Sequence, residues 1–453
     1  MTGPFQTHDQ AFSFLLEFTD YEKVTKFKYD IATFNLKRVE DLMAAVGSPH
    51  RAFRSAHVAG TKGKGSTTSM IQSILTAAGL RTGLYTSPHL LRVEERMTID
   101  GKLMPEQEFV DLVNELYPYT ARARAEWPNE SPTYFELVTA AGFRHFVRHK
   151  VDFAAVEVGM GGRLDATNVI TPEVSVITRV DFDHEERLGH TLDRIAGEKA
   201  GIVKPGVPVV CQPQAPEAFE VVERIARERN APLTLVGRDY RIEHLHTGLD
   251  KGHAPLCRFD LVTPEGRYDG LTLRLLGAHQ AVNAASAVAA VDIIRRRCGF
   301  AVPPEAIRAG LEATRIPARL EIIAGPPVTL LDGAHNPVSM HALCDTLDRV
   351  FPGRRPVLLM GLSRDKNAAE IFKLILPRAA AVVFSRSDSP RAADPVELAA
   401  LASETLGIAS ETVPDAFAAL DRARALAGPD GLLCITGSFF LAGLLRPKLT
   451  AAT

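Results

Sequence analysis

Short apolar runs alternate with stretches of helical periodicity along most of the chain. The runs at 53–59, 151–158, 174–178, 207–211 and 233–236 predict buried strands, and the amphipathic stretches at 106–123, 134–150, 192–203, 217–227 and 278–296 predict helices. This alternation predicts a mostly parallel sheet covered by helices on both faces. Residues 237–276, rich in Gly, Asp, His and Thr, break the rhythm and read as short antiparallel strands on the sheet edge. A second series follows Arg315-Ile316-Pro317-Ala318-Arg319, with strands at 328–331, 357–360, 381–384 and 432–436 and helices at 340–350, 395–405 and 414–426. The expectation is an α/β chain with a larger domain over 1–316 and a smaller one over 317–453. Ligands of open α/β sheets bind at the carboxyl ends of strands, so two such domains predict a site in the cleft between them.

The segment HVAGTKGKGS (57–66) lies between the first apolar run and an amphipathic helix marked by Ile71, Ile74, Leu75 and Ala78. A strand-to-helix turn of this kind leaves backbone N–H groups unpaired at a helix N-terminus, where the dipole favours an anion. Gly60, Gly63 and Gly65 let that backbone approach a phosphate closely. Lys64 can reach a terminal phosphate, and the Ser66 hydroxyl can hold a magnesium ion. The spacing is tighter than in the usual nucleotide loop, with two residues between Gly60 and Gly63-Lys64. Strand, glycines, lysine, serine and helix in this order favour a nucleotide site over a surface turn.

Other segments admit two readings each. Glu157 ends a strand and begins EVGMGGRLDATN, which suits either a magnesium ligand with a substrate against bare backbone or a tight turn capped by Asp165 or Thr167. Asp181-Phe182-Asp183-His184 offers an imidazole for a second metal, or a structural histidine. Lys199 in GEKAGI reads, on residues alone, as a helix lysine. Thr86-Ser87-Pro88-His89 offers a hydroxyl near the phosphates or plain turn chemistry. Asp332-Gly333-Ala334-His335-Asn336-Pro337 suits a grip on ribose or adenine. Arg319 either reaches a phosphate or makes a salt bridge at a hinge.

Composition narrows the class of protein. With 453 residues the chain exceeds one ordinary core, and 46% hydrophobic with 23% charged residues is a globular balance. A net charge of −2 gives no bulk attraction to nucleic acid or an anionic membrane. The five cysteines are scattered without a CxxC pair, as expected of reduced thiols. The start MTGPFQTHDQ lacks a basic head and an apolar stretch, and no uninterrupted apolar run is long enough to span a membrane; a cytoplasmic protein is expected.

HVAGTKGKGST, YTSPHL, TYFE (133–136), EVGMGGRLDATN, DFDH, GHTLDRIAGEKAGI, ARLE (318–321), DGAHNP and TGSFFLAG (436–443) occur in one order. In these motifs the chain resembles the folylpolyglutamate synthases of the Mur ligase superfamily, and more narrowly the bacterial bifunctional dihydrofolate/folylpolyglutamate synthases. The resemblance implies a P-loop domain of the Mur-ligase central type followed by a smaller Rossmann-like domain. It implies an ATP-dependent ligase that phosphorylates a pteroate or folate carboxylate and joins L-glutamate to it, releasing ADP and phosphate. It assigns Gly63, Lys64, Gly65 and Ser66 to the ATP loop, and Asn283, Arg319 and Asp332 to ATP, with His335 in the same signature loop as Asp332. Two magnesium ions are implied, with Ser66, Ser87, Glu157, His184 and a carbamylated Lys199 as ligands. Thr133, Tyr134, Phe135, Glu136, Gly161, Gly162 and Arg163 are assigned to dihydropteroate. The chain departs from the family at Lys62, where Asn is usual, and at Asn367, where a second Asp is common. A monomer without nucleic-acid or membrane partners is implied. A cell-wall Mur ligase would carry a further domain ahead of the ATP loop, and a nucleotide switch would not need Glu157, His184 and Lys199 together.

Overall fold

A computed structural model describes residues 3–22, 24, 29–30, 33–127, 130–183, 185–250 and 254–450. The chain forms two compact units, one of residues 1–244, 259–271 and 281–314, the other of 245–258, 272–280 and 315–453.

The first unit is built on seven strands: β1 (Arg54–Ala59), β2 (Thr82–Tyr85), β3 (Met97–Ile99), β4 (Phe153–Glu157), β5 (Val174–Ile177), β6 (Val209–Cys211) and β7 (Leu233–Leu235). They are ordered β3-β2-β4-β1-β5-β6-β7, with β3 antiparallel to β2 and the other pairs parallel. Because β1 lies between β4 and β5, the loops leaving these three strands emerge together at one sheet edge, where the winding changes direction. The helices of this unit are α1 (His8–Leu16), α2 (Leu36–Ala45), α3 (Lys64–Ala77), α4 (Glu106–Glu126), α5 (Tyr134–Arg148), α6 (Glu185–Leu188), α7 (Leu192–Ala200) and α8 (Pro216–Glu228). One core gathers Tyr85, Phe109, Phe143 and Phe146; another packs Ile195 and Val222 against Ile177 and Val209.

Strands β8 (Arg241–Leu249), β9 (Pro255–Thr263) and β10 (Gly266–Leu273) form a separate three-stranded sheet. The expected extension of the main sheet edge is therefore corrected, since that sheet ends at β7. Next come α9 (Ala278–Cys298) and α10 (Pro304–Ala313). Ala284, Ala287, Val288, Val291 and Ile294, spaced three and four apart along one face of α9, are fully buried. The backbones of α10 and α3 touch: Ser73 Oγ donates to the Gly310 carbonyl at 2.7 Å, and a Cβ on Gly310 would stand 2.4 Å from Ile74 Cα. Gly310→Ala is therefore expected to destabilise the chain by about 1–3 kcal/mol, read as a lower denaturant midpoint at unchanged slope.

The second unit holds β11 (Glu321–Ile323), β12 (Val328–Leu331), α11 (Pro337–Val350), β13 (Val357–Met360), α12 (Ala368–Ile375), β14 (Ala381–Phe384), α13 (Pro395–Leu406), β15 (Glu411–Thr412), α14 (Ala416–Ala427), β16 (Leu432–Thr436) and α15 (Phe439–Thr450). Its six strands are ordered β11-β12-β16-β13-β14-β15, all pairs parallel except β11 with β12. Leu330, Leu343, Leu358, Phe372, Phe384 and Cys434 fill its core. Among the described residues no helix is long and apolar enough to cross a membrane.

Candidate active site

The loop after β1 is stitched to the loop after β5. Thr61 and Lys62 N–H groups donate to the Arg179 carbonyl at 2.8 and 3.2 Å, and Thr61 Oγ1 donates to the Asp181 carbonyl at 3.0 Å. Gly63 has φ +88°, and a Cβ there would lie 2.4 Å from Asn283 Oδ1. Asn283 is buried and accepts from Gln212 Nε2 at 3.0 Å, while Gln212 Oε1 accepts from the Arg179 N–H at 3.0 Å. Gln214 Oε1 accepts the Val180 N–H at 2.8 Å, so Gln212 and Gln214 brace the loop after β5; the pair Gln212-Pro213-Gln214 just past a strand was the sequence signal for this. Lys64 opens α3, with Gly65 and Ser66 in its first turn, so the dipole and N–H groups of a fourteen-residue helix face the loop.

Glu157 at the end of β4 is 5% exposed and accepts the Ser87 N–H at 3.1 Å; a Cβ on Gly65 would lie 3.3 Å from its Oε2. Glu157, Ser87 and the first turn of α3 therefore converge. A buried carboxylate at this convergence is a hard oxygen donor that fits magnesium. His184, the imidazole expected among these ligands, lies outside the described residues.

Lys199, in the last turn of α7, reaches the same place. Its side chain is 3% exposed and its Nζ donates to the Gly60 carbonyl at 3.0 Å. Burial pushes the amine down to about 7, Lys64 and Lys62 push in the same direction, and Asp183 opposes them. Lys62, the residue that departs from the family, stands 3.5 Å from Asp183. Near pH 7 about half of the amine is thus neutral, against almost none of an ordinary lysine, which suits nucleophilic capture of carbon dioxide.

The glycine-rich turn after Glu157 is filled by protein atoms. A Cβ on Gly159 would lie 2.6 Å from Phe135 Cζ, one on Gly161 2.4 Å from Tyr29 Oη, and one on Gly162 2.8 Å from the Glu198 carbonyl oxygen. The missing side chains of these glycines admit neighbouring segments of the protein. Asp165 caps the following turn, accepting the Thr167 N–H at 3.0 Å, and Thr167 Oγ1 meets the buried His57 Nε2 at 2.8 Å. Arg163 is paired with Glu198 at 2.8 Å.

The four residues of TYFE are largely committed to the fold. Thr133 and Glu136 form a capping box on α5, and Glu136 also accepts from Arg38 Nη2 at 2.6 Å and Nε at 2.9 Å. Tyr134 is buried under the Arg96 guanidinium, 5.7 Å from its ring centroid. Phe135 remains half-buried beside Gly159. Glu136 is thus held in an internal ion pair with Arg38, 98 residues away in sequence.

In the second unit Asp332 is buried and accepts the Leu320 and Ala334 N–H groups at 2.7 and 2.9 Å; burial raises its carboxyl, and Arg319 opposes that rise. Arg319 lies over the Phe439 ring at 5.0 Å and is flanked by Ala318 and Leu320 at φ +54° and +48°. Two non-glycine residues in the left-handed region are a local cost that only a well-determined turn sustains, as binding sites often do. His335 Nδ1 donates to the Gly333 carbonyl at 2.7 Å, so in the neutral ring Nε2 carries no proton.

Residues 58–291 match the Mur ligase middle domain and residues 318–439 the Mur ligase glutamate ligase domain. The chain is 33% identical over 437 residues to the dihydrofolate synthase/folylpolyglutamate synthase of Bacillus subtilis, covering 95% of this chain and 100% of that protein. It is 35% identical over 415 residues to a folylpolyglutamate synthase of Lacticaseibacillus casei, covering 91% and 94%. Mycobacterium tuberculosis folylpolyglutamate synthase, solved in complex with ADP, aligns with a TM-score of 0.86 at 33% identity over 98% of each chain. With both of its domains matched and these relatives spanned nearly end to end, the chain belongs to the folylpolyglutamate synthase family of Mur ligases, and it is an ATP-dependent ligase.

Proposed function

We propose that the protein joins L-glutamate to dihydropteroate and to reduced folyl-polyglutamates, and that Lys199 works as its carbamate. The observation that carries this reading is the buried Lys199 amine, its pKa pushed down to about 7, at the Gly60 carbonyl on the sheet edge where Glu157 and the start of α3 converge. ATP and the acceptor carboxylate react in line: a carboxylate oxygen bonds to the γ-phosphorus, the bond to the leaving ADP oxygen breaks, and an acyl phosphate forms. The neutral amine of glutamate then attacks the acyl carbon, phosphate leaves, and the ammonium proton is lost to solvent.

In this reading Lys64 and the N–H groups of Gly65 and Ser66 hold the transferring phosphoryl group. Asn283, Arg319 and Asp332 bind ATP, and His335 acts beside Asp332. Ser66, Ser87, Glu157, His184 and the Lys199 carbamate hold magnesium, which when bound offsets negative charge on phosphoryl and acyl oxygens. The carbamate forms when the neutral amine attacks carbon dioxide and releases one proton. Phe135 borders the pterin pocket, while Thr133, Tyr134, Glu136, Gly161, Gly162 and Arg163 shape its wall from behind.

A single polyglutamylating activity is the second reading, favoured by the internal Arg38–Glu136 pair and by the comparable identity to the Lacticaseibacillus casei enzyme. The test is ADP release with ATP, Mg²⁺ and L-glutamate, with 7,8-dihydropteroate or tetrahydrofolate as acceptor. Turnover with both is expected. Turnover with tetrahydrofolate alone makes the enzyme monofunctional, and turnover with neither overturns the proposal in favour of another Mur-type amide ligase.

A further inference from the structure

A second cluster of metal-ligating side chains lies elsewhere in the first unit. Glu108 in the first turn of α4 meets His145 in the last turn of α5 and His149, the C-cap of α5. His145 Nδ1 is 2.8 Å from Glu108 Oε1, and His149 Nε2 is 3.0 Å from both Glu108 oxygens. One donor atom from each residue lies within 4.8 Å of the others. Tyr134, at the opposite end of α5, is roughly 16 Å along the helix axis from His145.

We propose that Glu108, His145 and His149 bind a divalent transition-metal ion, with zinc as the best match. Two imidazoles and one carboxylate are the donor set zinc takes in open sites that keep a fourth position for water. Histidines at i and i+4 project from one face of a helix, so α5 alone aims both rings at the carboxylate that α4 supplies. Zinc bonds of about 2.0–2.1 Å at tetrahedral angles separate donors by about 3.3 Å. The two separations to Glu108, 2.8 and 3.0 Å, reach that value by opening a few tenths of an ångström, and the separation between the two rings, within 4.8 Å, reaches it by a turn of the more exposed His149 ring.

The His145 and Glu108 side chains are 3% and 12% exposed, whereas His149 is 37% exposed, which gives the ion an entry path and a place for its water. Before the ion enters, each ring holds the carboxylate through an N–H. Binding moves that proton to the other ring nitrogen, so neutral rings need not lose it. Arg148 Nη1, 3.8 Å from Glu108 Oε1, opposes the ion, but its Nη2 is anchored on Glu115 at 2.5 Å. An ion held here would clasp the start of α4 to the end of α5.

The untagged full chain is titrated with zinc alone by calorimetry, and cobalt(II) uptake is followed by visible absorption. One zinc per chain is expected, with a tetrahedral cobalt spectrum and a zinc-dependent rise in melting temperature. His149→Ala, at a half-exposed position, should weaken zinc by at least about 100-fold and abolish that rise, and Glu108→Gln should do the same. No uptake at micromolar zinc, or uptake that both His149→Ala and Glu108→Gln retain, overturns the proposal.

Discussion

Lys64→Ala is expected to lower kcat for ADP release by about 10³-fold or more, with a much smaller change in the KM for ATP. Phosphoryl transfer gathers negative charge on equatorial oxygens, and a cation placed there acts more strongly on the transition state than on bound ATP. The backbone donors of α3 remain after the substitution, so nucleotide binding largely survives. Alanine is also the best helix former, so the first helical position keeps its conformation. A second loss compounds the first. Lys64 is one of the charges that keep the Lys199 amine low, so its removal raises that amine and reduces the neutral fraction that captures carbon dioxide. Steady-state kinetics with circular dichroism as a fold control checks this; a wild-type kcat removes Lys64 from the transfer step.

Lys199→Met is expected to separate activity from stability in opposite directions. If Lys199 works as its carbamate, turnover should fall by about 10²–10³-fold, without rescue by bicarbonate, because that carbamate and the ligand it would supply are gone. In Lys199→Ala, where there is room, a short carboxylic acid should restore part of the rate. The same Met variant should melt higher than the wild type in bicarbonate-free buffer. The native amine sits at about 7 against an ordinary value of 10.5, so below pH 10.5 the unfolded chain takes up a proton that the native site refuses. Native stability in the wild type therefore rises with pH between about 7 and 10.5, and the full handicap, on the order of 5 kcal/mol, is present below that window. Methionine fills the buried volume without a charge to desolvate. A variant as active as the wild type, or one that melts lower across this pH range, would sink the assignment.

The strands of the second unit were legible almost to the residue: the runs at 328–331, 357–360, 381–384 and 432–436 coincide with β12, β13, β14 and β16. Strands buried on both faces need unbroken apolar runs, and little else in a sequence imitates them. The three-residue β3 and β11 and the two-residue β15 carry too little pattern to stand out. Helix α1 did carry a signal that was passed over, since Thr7 and Gln10 form its capping box. The placement of β8–β10 in their own sheet depends on pairing, which local composition does not encode.

In the candidate site, the glycine loop running into the start of α3 could be read locally, because a strand-to-helix turn is set by neighbours in sequence. The distinctive property of Lys199 could not: its low amine pKa arises from burial and from Lys64 and Lys62, more than 130 residues earlier in the chain. The Arg38–Glu136 pair and the bracing of Asn283 by Gln212 are likewise products of packing.

The turn from Gly159 to Gly162 has a consequence for how this enzyme can diversify. Three different parts of the chain occupy its missing side chains: Phe135 from α5, Tyr29, and the Glu198 carbonyl of α7. The turn is a three-way joint, and a single methyl group at Gly159, Gly161 or Gly162 presses against Phe135, Tyr29 or the Glu198 carbonyl respectively. Drift in acceptor preference must then proceed by remodelling what surrounds the joint. A saturation library across these positions should return survivors almost only at Met160, the one position in the turn with a side chain to exchange.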